Sequence, residues 1–249
     1  MIVYSTDEQL IAAGASPYQL GTNWCWYDRV DGAYDFSHVS MSAVDAACDG
    51  SKRDDPLLVD IEAFDLTTDF DNAVANILRA AMRWRTNQPN RVLGLYNLVP
   101  ERNYWVPVQA AYYRDAWQSD KWLEQQQAKD EWQLRNTRAA AALLPVFEFV
   151  APSVYEFYTD KPVAWRVYAE ANIREAIRIA NGRPVYPVLM PSIHPGTKPM
   201  DKQQWASHVE FCSLFPGVSG LIIHTSPTYV VDENWRKPLN DILSSTLNT

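Results

Sequence analysis

Leu57-Leu58-Val59-Asp60-Ile61-Glu62-Ala63-Phe64 runs three aliphatic residues toward an interior, then sets two carboxylates one residue apart where a buried strand should continue. An aliphatic run of this kind, spanning 57–61, is the pattern of a strand covered on both faces, as in parallel sheets. Residues 92–97, 146–151, 185–190 and 220–224 repeat it. Between these runs lie 69–85, 110–143, 163–180 and 201–214, with apolar residues at helical spacing; Ile173, Ile177 and Ala180 fall on one face. Strand and helix in alternation are the signature of βαβ units. Thr67 or Thr68 is placed to cap the helix after the opening stretch, and Asn181-Gly182 to stop another before Pro184. In the first part of the chain, 18–26 reads as a first strand and 40–48 as a helix. The expected fold class is α/β: a (β/α) TIM-type barrel, incomplete or irregular at its start, forming a single domain over residues 1–249.

Composition narrows the function classes. A chain of 249 residues, 47% hydrophobic and 12% aromatic, buries a core of barrel size. A formal charge of -8 argues against nucleic acid or an anionic membrane surface as the main partner, since both need clustered Lys and Arg. It leaves a local basic pocket open. The cysteines, Cys25, Cys48 and Cys212, are odd in number and widely spaced, so they read as buried free thiols rather than a disulfide framework or zinc site. Residues 1–8 lack the basic start of a signal peptide, and no stretch approaches the roughly 20 apolar residues of a membrane span. The expectation is a cytoplasmic, virion-associated or non-classically exported protein.

In a barrel of this type the chemistry sits at the C-terminal ends of the strands. That is where the polar residues of this chain fall: Asp60 and Glu62, Tyr96 and Asn97, Ser153 and Tyr155, Ser192 and His194, His224 and Thr225. Residues i and i+2 of a strand share a face, so Asp60 and Glu62 point the same way, about 6–7 Å apart, with Ile61 opposite. Two carboxylates in a partly dry cavity do not both ionise freely. Desolvation and repulsion raise the pKa of one, which keeps a proton for a general acid near neutral pH. A pair that only caps the next helix or binds Arg is the bland alternative.

With these residues in place, the order of motifs resembles the hyaluronidase family of glycoside hydrolases, and more distantly the chitinase-like and lysozyme barrels. The family's Asp-Trp-Glu is matched by Asp60-Ile61-Glu62, its Trp-Gly-aromatic-Tyr stretch by Leu93-Gly94-Leu95-Tyr96-Asn97, and its Tyr-Pro-Ser-Ile-Tyr by Ala151-Pro152-Ser153-Val154-Tyr155. Its Gly-x-x-Gly-Val-Val-Leu-Trp strand is similar to Gly217-Val218-Ser219-Gly220-Leu221-Ile222-Ile223-His224. The resemblance covers roughly 57–226 and implies an endo-acting glycosidase for an N-acetylhexosamine polysaccharide, without a cofactor. It implies Glu62 as general acid, Asp60 holding the acetamido group that serves as nucleophile, Tyr155 on the acetamido oxygen, and Tyr96 or Tyr104 on the same wall. His224 stands where the family has a Trp. With a net charge of -8, a neutral or mixed polymer is easier to justify than hyaluronan.

Other residues complete the candidate site. Asn97, Ser153, His194 and His224 line the expected mouth, and Trp24 and Trp26, read as sharing a strand face, form a sugar platform. No metal site is expected. His208, on the stripe of Trp205, Val209 and Cys212, reads as a packing histidine, and the long helix over 119–143 as a surface for a protein partner. A non-catalytic barrel that binds glycan or protein, and a lysozyme-like muramidase using the same acids, are the alternatives.

Overall fold

The computed structural model describes residues 1–51, 55–61, 63–116, 118–157, 162–195, 198–225 and 233–246. Strand β1 (Ile2–Ser5) leads into α1 (Glu8–Ala12), whose N-terminus is capped by the Asp7 side chain. Strands β2 (Ser16–Pro17) and β3 (Gln19–Gly21) are separated by Tyr18 alone and run into the short helix α2 (Asn23–Trp26). The stretch 18–26 is therefore a strand that turns into helix, not one strand. A small hairpin follows, β4 (Arg29–Val30) and β5 (Ala33–Tyr34), with Asp31 and Gly32 at φ 50° and 85° in its turn.

The rest alternates as the opening stretch leads one to expect. Helix α3 (Met41–Gly50), capped by Ser40, precedes β6 (Leu57–Val59), α4 (Phe70–Asn87) and β7 (Leu93–Tyr96). Helices α5 (Val106–Asp115) and α6 (Ser119–Leu143) occupy the region read as one helix over 110–143. A 3₁₀ turn and β8 (Phe149–Ala151) follow, then α7 (Pro162–Ala180), β9 (Val188–Leu189), α8 (Lys202–Ser213), β10 (Gly220–Ile223) and α9 (Lys237–Thr246). Helix α7 ends where Asn181 and Gly182 both take positive φ, a stop that an Asn-Gly pair accommodates. Neither Thr67 nor Thr68 caps α4. Both bond to Asp65, and Asp69 occupies the cap position without a side-chain cap bond.

The strands form two parallel sheets, ordered β2-β1-β10-β9 and β3-β6-β7-β8. At one seam β2 continues into β3. At the other, parallel bridges join Val150 to Val185 and Ser153 to Val188, with Tyr186 N–H donating to the Val150 carbonyl at 2.9 Å. Side chains alternate across the sheets. Leu57, Val59, Leu93, Leu95 and Val150 pack on helices in one core, and Val3, Leu189, Leu221 and Ile223 on helices in another. The opposite parity, Leu58, Tyr96, Phe149, Ala151, Val188 and Ile222, makes a third cluster together with Tyr18, Tyr155 and Tyr186. The three cysteines are buried free thiols.

Candidate functional site

The parity of β6 decides where its carboxylate goes. Leu58 belongs to the tyrosine-rich cluster, while Ile61 is fully buried among residues that face the helices. Asp60 is therefore on the Leu58 side, and with Leu58 it lines a cavity of 190 Å³ at the strand ends. Its backbone is held from both directions: Asp60 N–H donates to the Gly21 carbonyl at 3.0 Å, and the Asp60 carbonyl accepts from Trp26 Nε1 at 2.9 Å. Glu62 lies outside the described residues.

Tyr96, Tyr155, His194 and His224 line the same cavity, so residues from separate strand ends meet there. The Tyr155 ring is 6.5 Å from Tyr96, 5.6 Å from His194 and 6.2 Å from His224, the last nearly parallel at 23°. Burial pushes the Tyr155 hydroxyl well above the usual tyrosine range, and the neighbouring Tyr96, by charge and by hydrogen bond, adds to this. The group stays protonated at neutral pH and remains a donor. Burial, followed by the neighbouring His194, pushes the His224 imidazole down from 6.5, so it is neutral at pH 7.

Other expected site residues take different places. Ser153 is 1% exposed; its Oγ accepts from Arg102 at 3.4 Å and its carbonyl from the Tyr168 hydroxyl at 2.7 Å, so it braces the site from behind. Asn97, at φ 58°, and Tyr104 line a neighbouring cavity of 310 Å³ rather than the central one. Tyr104 packs on Phe157 and Tyr168, at 4.1 and 5.2 Å between ring centroids, and so does not share a wall with Tyr96.

Trp26 is not a sugar platform. It is fully buried, packs on Trp84 at 5.6 Å and donates to the Gly21 and Asp60 carbonyls. Trp24 and Trp26 lie on a helical turn, so the shared strand face does not exist; the Trp24 side chain is outside the described residues. His208 is a packing residue, stacked on Trp165 at 3.4 Å and buried.

Two site residues escaped the sequence reading. Tyr18, between β2 and β3, lines both the central cavity and a second neighbour of 480 Å³, and its buried hydroxyl has no hydrogen-bond partner among the described residues. Its spacing of two from Leu20 was a usable signal. Arg102 stands between the central cavity and the 310 Å³ cavity, and a single Arg in a loop carries no pattern that announces it. Among the described residues no cluster of His, Cys, Asp and Glu is arranged to hold a metal ion. No helix there is long and apolar enough to cross a membrane.

No family model and no curated protein matches the sequence. Solved structures do match. The monoclinic crystal structure of bee venom hyaluronidase is similar at a TM-score of 0.64 and 11% identity, covering 98% of this chain and 97% of that one. Bee venom hyaluronidase in complex with a hyaluronic acid tetramer is similar at a TM-score of 0.66 and 10% identity, covering 98% and 96%. At such identities the likeness is one of fold alone, an α/β chain with parallel sheets.

Proposed function

We propose that the protein is a glycoside hydrolase that cleaves an N-acetylhexosamine-containing polysaccharide by a substrate-assisted, retaining route. The observation that carries this reading is the meeting of Asp60, Tyr96 and Tyr155 around one cavity at strand C-terminal ends. The likeness in fold to bee venom hyaluronidase over 98% of the chain supports it. In this reading the two sheets belong to one barrel. The run from β2 into β3 and the bridges from β8 toward β9 support that closure, which makes the polar strand ends converge on a single mouth.

The chemistry then divides among few groups. Glu62 donates its proton to the glycosidic oxygen as the bond to the anomeric carbon breaks. The substrate's own acetamido oxygen attacks that carbon from the other side and forms an oxazolinium ion. Asp60 accepts the acetamido N–H and offsets the positive charge. The Tyr155 hydroxyl turns its one proton from Tyr96 to the acetamido oxygen and places it for attack, while Tyr96 donates in turn to the Tyr155 oxygen and so orients it. The neutral His224 ring, stacked near Tyr155, gives the pocket a flat wall where the resembling family has a Trp. Water then adds to the anomeric carbon as Glu62 takes its proton; the bond from that carbon to the acetamido oxygen breaks, the acetamide is restored, and the configuration is retained.

The test is release of reducing ends from chitooligosaccharide, peptidoglycan and hyaluronan by the parent and by Glu62→Gln. Hydrolysis by the parent and none by a folded Glu62→Gln is the expected result; cleavage of peptidoglycan alone selects the muramidase variant of the same chemistry. A parent inert on all three is the result expected of a non-catalytic, glycan- or protein-binding barrel. The size of the central cavity favours that second reading, because 190 Å³ is below the usual range of enclosed ligand sites.

A further inference from the structure

We propose that Arg102 makes this site select sugar units that carry an anionic substituent. The inference rests on the glycosidase reading for where the sugar lies, and on independent observations for what Arg102 does.

The first observation is an unspent cation. Arg102 lines both the central cavity and the 310 Å³ cavity beside it, so a polymer crossing from one to the other passes its guanidinium. Among the described residues it makes no ion pair, not even with Asp60 on the wall of the same central cavity. Its acidic chain neighbour Glu101 pairs with Arg135 at 3.2 Å, and Asp65, on the wall of the 310 Å³ cavity, accepts from Thr67 and Thr68. Among the described residues Arg102 makes one long hydrogen bond, 3.4 Å to Ser153 Oγ, and places its guanidinium 4.6 Å over the Tyr104 ring and 5.7 Å from that of Phe157. A guanidinium has five N–H donors; stacking covers a face and leaves the edge to bind a ligand.

The second observation is the mount. Backbone groups on both sides of Arg102 are fixed by buried side chains from other elements. The Glu101 carbonyl accepts from Trp132 Nε1 at 2.7 Å, and Glu101 N–H donates to Asn136 Oδ1 at 2.8 Å. Asn103 N–H donates to Asn172 Oδ1 at 3.1 Å, and Asn172 Nδ2 returns a bond to the Asn103 carbonyl at 3.0 Å. Asn136 and Asn172 are each 1% exposed, and Asn136 is itself held by Glu175 at 3.0 Å. Buried polar networks of this kind fix a geometry more than they add stability. Here the position fixed is that of one cationic side chain.

A preorganised guanidinium edge beside a cavity presents parallel N–H groups that match two oxygens of one anionic group, planar or tetrahedral, so the ligand chemistry is a carboxylate or sulfate on the sugar. Its source is a uronate carboxylate, a lactyl ether carboxylate or a sulfate ester. With a net charge of -8, the molecule as a whole adds no long-range attraction to this contact.

The experiment compares the parent with Arg102→Gln and Arg102→Lys on neutral chitooligosaccharide, hyaluronan oligosaccharide, chondroitin sulfate and peptidoglycan fragments of matched length. Arg114→Gln, at an exposed position paired with Asp115, serves as control. The expected result is a fall of about 10- to 100-fold in kcat/KM for Arg102→Gln on one anionic class, with less than about 3-fold on the neutral one. Arg102→Lys restores part, since it returns the charge without the fork. The class that responds identifies the source of the anion. Equal losses on anionic and neutral substrates, or no loss on either, overturn the proposal. The same oligosaccharides are titrated calorimetrically, so a parent without hydrolysis sinks the glycosidase reading alone. Tighter binding of an anionic ligand that vanishes in Arg102→Gln then sustains the role of Arg102, and its absence overturns it.

Discussion

At the scale of single residues, the hydroxyl of Tyr155 is the group whose chemistry the structure constrains most. It is held protonated by burial and by Tyr96, so at every working pH it donates and cannot serve as a base. In the proposed reaction, removing it in Tyr155→Phe takes one hydrogen bond from a transition state in which the acetamido oxygen is polarised. We expect kcat to fall about 10- to 100-fold, a hydrogen bond to a charged acceptor being worth about 1.5–3 kcal/mol. The raised pKa also fixes the sign of the pH response. Since ionisation lies above the assay range, the variant's pH–rate profile between about pH 4 and 9 keeps the parent's shape and is only lower. Loss of an alkaline or acid limb in Tyr155→Phe would show that the hydroxyl titrates during turnover. Part of this site was legible beforehand: a period of two places Asp60 with Leu58 and away from Ile61, and that rule acts within a single strand. Trp26 was misread because the same rule was extended past Gly21, where the chain turns into helix and the indole is drawn inward to bond the Gly21 and Asp60 carbonyls.

At the scale of elements, the pairing of β10 with β1 depends on the absence of a side chain. Gly220 lies opposite Ile2, and a Cβ built there falls on the Ile2 carbonyl oxygen, which is backbone and cannot swing aside. The Gly220→Ala change should cost about 3 kcal/mol through overpacking and a disturbed ladder. Gly50, the last residue of α3, has nothing within 4 Å of such a Cβ, so Gly50→Ala should be neutral or stabilising by up to about 0.5 kcal/mol. Urea unfolding of both variants against the parent checks the contrast, and equal midpoints would contradict it. The same pairing explains what could be read from the chain. The stretches at 57–61, 92–97 and 220–224 declare themselves because aliphatic residues on both faces record two packed sides. Ile2–Ser5 does not, because its strand character comes from hydrogen bonds to a segment at the other end of the chain. The long helix read over 119–143 is α6, whereas the start of α5 was not read, because Ala116 and Gln118 carry no breaker signal to part it from the helical run beginning at 110, although Pro107 in the first turn of α5 marks a start.

At the scale of the whole molecule, the overall charge and the single cation at the cavity edge have opposite signs, and ionic strength separates their effects. A chain of net charge -8 repels a polyanion at long range, whereas in the proposed role Arg102, held against Tyr104 at 4.6 Å, attracts a single group at contact. Salt screens the first effect more than the second, because a repulsion acting across more than about 10 Å is largely removed at 0.1 M while a partly buried contact is not. For an anionic polymer, KM should therefore hold steady or fall as NaCl rises from about 20 to 200 mM, and the association rate should rise. A binding groove paved with Lys and Arg gives the reverse, since each phosphate-like contact releases counterions and weakens with salt. The Arg102→Gln variant should keep the parent's salt slope with its weaker affinity, because the long-range repulsion is unchanged within one unit of charge. A KM that climbs several-fold with salt in the parent would mean that the polymer follows an extended basic track, and that one arginine at the cavity edge does not decide which sugar this mouth accepts.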